Sequence, residues 1–287
     1  MGGLGNQMFQ YAVAKSLAIR RKTSLKIDLS FLFENHLAQE FTERKFELNK
    51  FALNLETIGK NELDKFIGKI KSSELSYKLR NLIKPYTIYE ESNLDFDPSV
   101  LKLPSNTYLK GYFQSEKYFV NISDQIKTDF AYVGTLNENN NKTIQKIKTT
   151  NSVAVHVRRS DYITNPSSSH FHGVCPLEYY ETAINYLKQK LDLPLIFFFS
   201  DDMEWTRENF KNLDNVVFVD TNNSETGYDD LRLISHCKHQ IIANSTFSWW
   251  GAWLNDNPGK IVIAPKKWFA SYQVNLSDRF PADWILI

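Results

Sequence analysis

Residues 240–255 read QIIANSTFSWWGAWLN, and this stretch decides the fold class. Its first part, 240–243, has the length and apolar character of a buried strand, whereas 246–254 favours a helix rich in tryptophan. A strand that passes directly into a helix is the repeating unit of α/β proteins. The Asn-Ser-Thr between them therefore brings free amides and the positive end of a helix dipole to the end of a strand, where anions bind.

This turn has two interpretations. In the first, Asn244, Ser245 and Thr246 bind an anion, and the two hydroxyl groups act as donors. In the second, the turn is an ordinary helix cap, since Asn and Ser also satisfy the free amides of a first turn. In both interpretations we expect the tryptophans to be core.

The same alternation runs through the second half of the chain. It predicts short apolar strands at 153–158, 195–199, 216–219, 240–243 and 261–263, and helices at 176–190, 202–211, 226–237 and 246–254. Strands that alternate with helices form a parallel sheet that is covered on both faces. The second half is therefore predicted to be a doubly wound α/β domain of the nucleotide-binding type.

The first half is less regular. It predicts helices at 8–21, 56–78 and 116–130, and strands at 25–29 and 107–112. A chain of 287 residues is long enough for two domains. The polar stretch GTLNENNN at 134–141 is typical of a linker, so we predict domains at 1–140 and 141–287.

Composition argues against several classes of protein. The formal net charge is +1 and no basic stripe occurs, which disfavours nucleic-acid binding. Cys175 and Cys237 lie far apart, so we expect neither a disulfide framework nor a zinc site, and a reducing cytoplasm fits best. We also expect no membrane helix and no signal peptide, because no apolar run nears about 20 residues and the chain opens on glycines.

The stretch VAVHVRRSDY at 153–162 ends a predicted strand in two cations. Residues two apart share a face of a strand, so His156 and Arg158 should project together, while Arg159 turns away or enters the loop. Guanidinium groups there require carboxylates or phosphates. The alternative to an anion site is a structural salt bridge with Asp161.

The stretch FFFSDD at 197–202 ends the next strand in acids. Asp201 and Asp202 could accept hydrogen bonds from ribose hydroxyls or base N–H groups. The alternative is helix capping, which we expect for at least one of them. Taken together, these strand ends would suit a nucleoside diphosphate, with the two arginines stabilising the departing diphosphate without a metal.

The stretch GGLGNQ at 2–7 opens a helix, and its glycines suit close approach of Gly5 and Asn6 to a ligand. It is not a dinucleotide fingerprint, because the GxGxxG phase fails at Met8, nor is it a phosphate loop. Asn6 would then face the cleft between the halves. The alternative is a plain helix start.

A metal site is not expected. The sequence Asp95-Phe96-Asp97 has DxD spacing, but Pro98 follows and no clear strand precedes it, so we interpret it as a loop with solvated acids. His170 and His172 have no carboxylate at ligand spacing, which argues against zinc.

Four motifs carry a resemblance over nearly the whole chain, from Gly2 to about Trp268: GGLGNQMFQYA, HVRRSDY, FFFSDD and CKHQIIANSTFSWWGAWL. Together they resemble the bacterial α-1,2-fucosyltransferases of glycosyltransferase family 11. The resemblance implies a GDP-fucose donor, a galactose-terminated acceptor, inversion at the anomeric carbon, no metal and a two-domain GT-B fold. In that fold 1–140 would lie on the acceptor side and 141–287 would bind the GDP-sugar. Lipid-linked O-antigen assembly, with peripheral association at the inner membrane, is the expected setting.

The resemblance also implies roles for individual residues. Arg158 would contact the β-phosphate and the departing oxygen, with support from Arg159. The guanosine end would be bound by His156, Asp201 and Asp202, and the phosphates by the turn at Asn244, Ser245 and Thr246. Gly5 and Asn6 would lie at the junction of donor and acceptor. For the general base, Asp161 is the first candidate and His172 the second, because an imidazole titrates near pH 6.5.

The chain departs from the family pattern in two places. Ser160 stands where the family has glycine. The family also has a strand before GGLGNQ, whereas this chain opens at Met1, so we expect either a truncated start or a missing first strand.

Other functions remain open at this stage. One is transfer of another GDP-sugar, or of fucose to a different acceptor or linkage. A transferase or epimerase that uses another nucleotide sugar, a nicotinamide oxidoreductase and a non-catalytic glycan-binding protein are further alternatives.

Overall fold

The computed structural model describes residues 1–34, 45–67, 86–159, 163, 166–223, 225–271 and 273–287, with the backbone alone for 33–34, 65–67 and 166–168. The chain forms two compact units, Met1–Ala131 and Tyr132–Ile287. The division therefore lies nine positions before the predicted boundary between 140 and 141 (140 − 131 = 9).

The N-terminal unit begins with a long helix, and the part of it that the structure describes contains four short strands. Its helices are α1 (Leu4–Arg21), α2 (Ser30–Glu34), α3 (Lys60–Ile67) and α4 (Ser123–Asp129). Its strands are β1 (Lys26–Ile27), β2 (Glu56–Thr57), β3 (Thr87–Glu90) and β4 (Thr107–Lys110). β1 pairs with β2 and β3 with β4, both in parallel, so the described residues form two separate ribbons.

The helix α1 forms because its apolar residues recur at helical spacing. Met8, Phe9, Ala12 and Val13 are fully buried, and the helix ends at Lys22, which adopts a left-handed conformation. It starts at Leu4 rather than at the predicted residue 8, so residues 4–7 of GGLGNQ form the first turn and Gly3 is the N-cap.

Two other predictions for this unit need correction. The predicted helix at 56–78 is strand β2 followed by α3, and its remainder from 68 lies outside the described residues. The predicted helix at 116–130 is two short 3₁₀ turns followed by α4. The predicted strands at 25–29 and 107–112 occur as the shorter β1 and β4.

The C-terminal unit is built on one parallel sheet of six strands, in the order β10-β9-β8-β5-β6-β7. The strands are β5 (Ser152–Val157), β6 (Leu195–Ser200), β7 (Val216–Val219), β8 (His239–Ile241), β9 (Val262–Ala264) and β10 (Ile285–Leu286). The five predicted strands are thus confirmed, and β10 was not predicted.

Helices connect these strands. They are α5 (Glu138–Thr149), α6 (Pro166–His172), α7 (Leu177–Lys190), α8 (Met203–Phe210), α9 (Gly227–His236), α10 (Thr246–Trp253) and α11 (Leu276–Arg279). The second half of the predicted linker at 134–141 is in fact the start of α5, because the side chain of Asn137 accepts a hydrogen bond from the amide of Asn140 and caps the helix.

Alternation along β5 supplies both faces of the sheet. Val153, Val155 and Val157 pack with α7 on one face. Ala154 packs on the other face, in a cluster that includes side chains of α5 and α9. Full burial of each such aliphatic side chain contributes about 1.5–3 kcal/mol. The covered parallel sheet confirms the predicted α/β, doubly wound class.

Candidate active site

Because the six strands are parallel, their carboxyl ends lie at one edge of the sheet. The segments that follow β5, β6, β7 and β8 therefore meet there. They contain the arginine pair, the acid pair, the start of α9 and the Asn-Ser-Thr turn.

The two arginines are held by the acids that follow the neighbouring strand. The Nη1 atom of Arg158 lies 3.2 Å from Oδ2 of Asp201, and Nε of Arg159 lies 3.2 Å from Oδ2 of Asp202. The amide of Arg159 also donates to Asp201 at 2.8 Å. The guanidinium of Arg159 stacks on Trp205, 3.9 Å from the ring centroid. Arg158 retains 23% side-chain exposure, so part of its side chain remains accessible.

The acids thus have structural partners in this structure. Asp202 also accepts a hydrogen bond from the amide of Trp205 and caps α8, so the capping predicted for one of the two acids is confirmed. Their predicted contacts with guanosine remain a prediction. Asp161, the predicted partner of the arginines and first candidate for the base, lies outside the described residues, as does Ser160.

His156 is a buried histidine in β5, just before the arginines. Its ring packs against Phe247 with centroids 5.5 Å apart, and its Nδ1 has no hydrogen-bond partner among the described residues. Burial, and then the charge of Arg158, lower its pKa to about 3. The imidazole is therefore neutral at pH 7 and offers a nitrogen atom with unused hydrogen-bonding capacity.

Asn244 has a structural function that the sequence did not reveal. Its amide nitrogen donates to the carbonyls of His172, Gly173 and Trp268 at 3.1–3.2 Å, and the residue is buried. This side chain therefore connects the segment after α6 to the segment after β9. The contact of Asn244 with a ligand remains a prediction, and it would form in addition to these hydrogen bonds.

Ser245 and Thr246 begin α10 as predicted. Ser245 occupies the N-cap position with extended backbone, as the cap interpretation expects, but its side chain makes no capping hydrogen bond with the described residues. Anion binding at this turn remains a prediction. Trp249 and Trp250 are fully buried, which confirms that the tryptophans are core.

The start of α9 holds an acid cluster that sequence reasoning missed. Asn222 donates to Asp230 at 2.6 Å, and Asn140 of α5 donates to both Asn222 and Asp229. Burial raises the pKa of Asp230 to about 7, and the nearby Asp229 adds to the effect. In sequence, acids in a first helical turn indicate only a favourable dipole interaction. Burial, which distinguishes this pair, arises from α5 and cannot be read locally.

His172, the second candidate for the base, ends α6. Its ring packs between Phe171 and Phe269, with centroids at 5.0 and 5.6 Å, and it is partly exposed. The ring is thus held between two phenylalanines, and the backbone carbonyl of His172 accepts a hydrogen bond from Asn244.

In the N-terminal unit, GGLGNQ forms a constrained helix start. Gly2 has φ +75°, and a Cβ atom there would lie 2.6 Å from Nδ2 of Asn6. The side-chain oxygen of Asn6 accepts a hydrogen bond from Gln114 at 2.7 Å. Gly5 is buried inside the first turn of α1. The side chain of Asn6 is therefore oriented by its hydrogen bond with Gln114, which a plain helix start would not predict.

The DxD sequence is not a simple solvated acid pair. Asp97 accepts hydrogen bonds from the hydroxyl of Tyr89 and from the amide and hydroxyl of Ser99, and these bonds lower its pKa. Across the described ranges, no group of three or more His, Cys, Asp or Glu side chains could hold a metal ion. None of the helices in those ranges is long and apolar enough to cross a membrane.

Comparison with known proteins identifies the family. The sequence profile of Glycosyl transferase family 11 matches residues 1–287. The O-antigen biosynthesis glycosyltransferase WbnK of Escherichia coli is 39% identical over 285 residues, covering 94% of this chain and 93% of the relative. The α-1,2-colitosyltransferase of Escherichia coli is 34% identical over 290 residues, covering 100% and 96%. Galactoside α-(1,2)-fucosyltransferase 1 of Saimiri sciureus is 27% identical over 154 residues, covering 51% and 42%. This chain therefore belongs to glycosyltransferase family 11.

Proposed function

We propose that the protein is an inverting, metal-independent transferase that moves fucose from GDP-β-L-fucose to the 2-hydroxyl of a terminal galactose. Family membership and relatives named for α-1,2 transfer support this linkage. The relative named for O-antigen biosynthesis supports a bacterial surface glycan as the acceptor.

The observation that carries the proposal is the arginine pair at the end of β5. Asp201 and Asp202 pre-orient the two guanidinium groups, and the helix α10 begins at the end of β8, the strand next to β5. A diphosphate bound there would accept hydrogen bonds from Arg158, Ser245 and the first amides of α10. Groups already oriented need little reorganisation when charge develops on the leaving group.

The base of the nucleotide would bind on the face where His156 packs with Phe247. Beside Asp201 and Asp202, which pair with the arginines, we add Asp230, which accepts a hydrogen bond from Asn222, as a further acceptor for an N–H group of guanine. Its position in the first turn of α9, at the same edge of the sheet, supports this assignment.

In the reaction, the C1–O bond of fucose would break early while Arg158 and the start of α10 take the charge that develops on GDP. The galactose 2-hydroxyl would attack from the opposite face and so invert the anomeric carbon. Asp161 is the proposed base and His172 the second candidate. Asn6 and Gly5 of the N-terminal unit would contact the substrates near the transferred sugar.

Calorimetric titration with GDP, with and without Mg²⁺, tests the anion site. We expect binding without metal, and a loss of at least about tenfold in affinity for Arg158→Ala, because one charge-assisted contact is worth about 1.5–3 kcal/mol. Lys142→Ala removes one exposed charge from the same unit and serves as the control. If Arg158→Ala bound GDP as tightly as the wild type, the arginine pair would have only a structural role in its salt bridges.

A second candidate donor follows from one comparison. The α-1,2-colitosyltransferase covers the whole chain at 34% identity, so a colitose donor is the alternative to fucose. Turnover with the two donors, measured on one galactose-terminated acceptor, separates the candidates. A higher kcat/KM with the colitose donor would replace the fucose proposal while leaving the nucleotide site intact.

A further inference from the structure

Gln114 lies outside the four motifs of the sequence analysis, yet it contacts a residue of the first. It belongs to the stretch GYFQS at 111–115, which directly follows β4. Its Nε2 atom donates a hydrogen bond of 2.7 Å to Oδ1 of Asn6, in the first turn of α1. Gln114 is buried, whereas Asn6 is partly exposed. A buried side chain thus holds one that a ligand can reach.

The turn that contains Gln114 is fixed on several sides. The carboxylate of Glu91 accepts hydrogen bonds from the amides of Tyr112 and Phe113, at 2.7 and 3.0 Å. Phe113 has φ +52°, which a residue other than glycine rarely adopts, and its buried ring packs edge-on against Tyr118. Strained conformations of this kind persist only where the surroundings impose them, and they cluster at ligand sites. The turn therefore holds Gln114 in one place.

The hydrogen bond determines which polar atom of Asn6 can serve a ligand. Because Oδ1 accepts from Gln114, the remaining polar atom is Nδ2, which makes no hydrogen bond with the described residues. Gly2 leaves this nitrogen uncovered, since a Cβ atom there would lie 2.6 Å from it. An amide nitrogen has two N–H donors and cannot accept. Asn6 is therefore oriented to donate to an oxygen atom.

We propose that Gln114 is a positioning residue, which fixes the amide of Asn6 so that its N–H groups donate to a sugar oxygen of the substrate. This inference rests on the proposed function, in which Asn6 lies near the transferred sugar. An amide free to rotate would often turn its own oxygen toward the substrate, where two acceptors repel each other. A side chain that is already oriented avoids this cost when the substrate binds and reacts.

Two substitutions at position 114 test this role. Gln114→Met keeps the length of the side chain and removes the donor, whereas Gln114→Glu keeps its shape and, when ionised, can only accept. The glutamate would turn the N–H groups of Asn6 away from the substrate. With GDP-fucose and a galactose-terminated disaccharide, we expect both variants to lower kcat/KM at least about tenfold, the value of one hydrogen bond. Gln125→Met, which removes an exposed donor in α4, is the matched control and should leave kcat/KM unchanged.

A double variant separates positioning from a general effect on folding. If Gln114 acts through Asn6, then Gln114→Met should cause no further loss of kcat/KM in an Asn6→Ala background. Losses that multiply would overturn the proposal. So would wild-type kcat/KM for Gln114→Glu, because the hydrogen bond would then run from Asn6 to residue 114. Weaker GDP binding by Gln114→Met would assign the contact to a phosphate, and that result would also overturn the sugar contact.

Nuclear magnetic resonance provides a readout that does not depend on turnover. The side-chain N–H signals of Gln114 are identified by their loss in Gln114→Met. Their exchange with solvent should become at least about tenfold faster in Asn6→Ala and stay unchanged in Gln125→Met. Equal exchange in Asn6→Ala and the wild type would overturn the inference, whichever sugar is transferred. A wild type that transfers neither fucose nor colitose would refute the proposed function instead, while exchange would still decide whether Gln114 holds Asn6.

Discussion

At the scale of single residues, the structure pairs the two arginines with acids that the sequence analysis did not name as their partners. The sequence had suggested Asp161, which lies outside the described residues. The parallel register aligns Val157 with Ser200, so the next residues, Arg158 and Asp201, fall opposite each other. Register is a tertiary property, and for this reason the motif HVRRSDY alone could not identify the partner.

Asp230 allows a test of burial at the same scale. Its raised pKa means that the folded protein holds a proton there that the unfolded chain, with a carboxyl pKa of 3.8, has lost. Between about pH 4 and about pH 7, the wild type should therefore lose stability as pH rises. The side chain of Asp230→Asn stays neutral. At about pH 8 we therefore expect its free energy of unfolding to exceed that of the wild type by at least about 1 kcal/mol.

Urea denaturation at about pH 8 and about pH 4 measures this difference, and Asp278→Asn, in the short helix α11, is the control. The stabilisation should shrink toward zero at the lower pH, where both side chains are neutral. If Asp230→Asn raised the free energy of unfolding by the same amount at both pH values, the folded protein would not disfavour the charged form of Asp230.

At the scale of elements, the apolar pattern predicted strands β5 to β9 of the C-terminal unit because they are largely buried, but it did not predict the two-residue β10. It did worse in the N-terminal unit, where β1 and β2 are only two residues long and offer no period to detect. Contacts between helices could not be predicted from the sequence either. Gly251 reads as a weak helix residue in sequence, yet a Cβ there would lie 2.5 Å from Cγ2 of Ile234 in α9.

Gly251→Ala should therefore separate α10 from α9 and destabilise the protein by about 1–3 kcal/mol, although alanine favours helices. Gly227→Ala is the matched control, since a Cβ atom would meet nothing within 4 Å there. Thermal unfolding of both variants provides the comparison. A Gly251→Ala protein as stable as the wild type would mean that the two helices can separate at no cost.

At the scale of the whole molecule, the two compact units should respond differently to nucleotide. The arginine pair, Asp230 and the Asn-Ser-Thr turn all lie in Tyr132–Ile287. Ligands slow local opening of the parts that they contact. With GDP alone, we expect slower hydrogen exchange at the carboxyl ends of β5, β6 and β8 and little change in Met1–Ala131. Equal protection of both units would contradict the assignment of the nucleotide to the C-terminal unit.

Because Arg159 stacks on Trp205, the fluorescence of Trp205 should depend on the position of the guanidinium. Trp249 and Trp250 are sealed in the core, whereas Trp205 is only partly buried and has a cation 3.9 Å from its ring centroid. Any diphosphate that draws the guanidinium away changes the field on that indole. Intrinsic fluorescence should thus follow occupancy of the arginine pair in real time, without a label and without turnover.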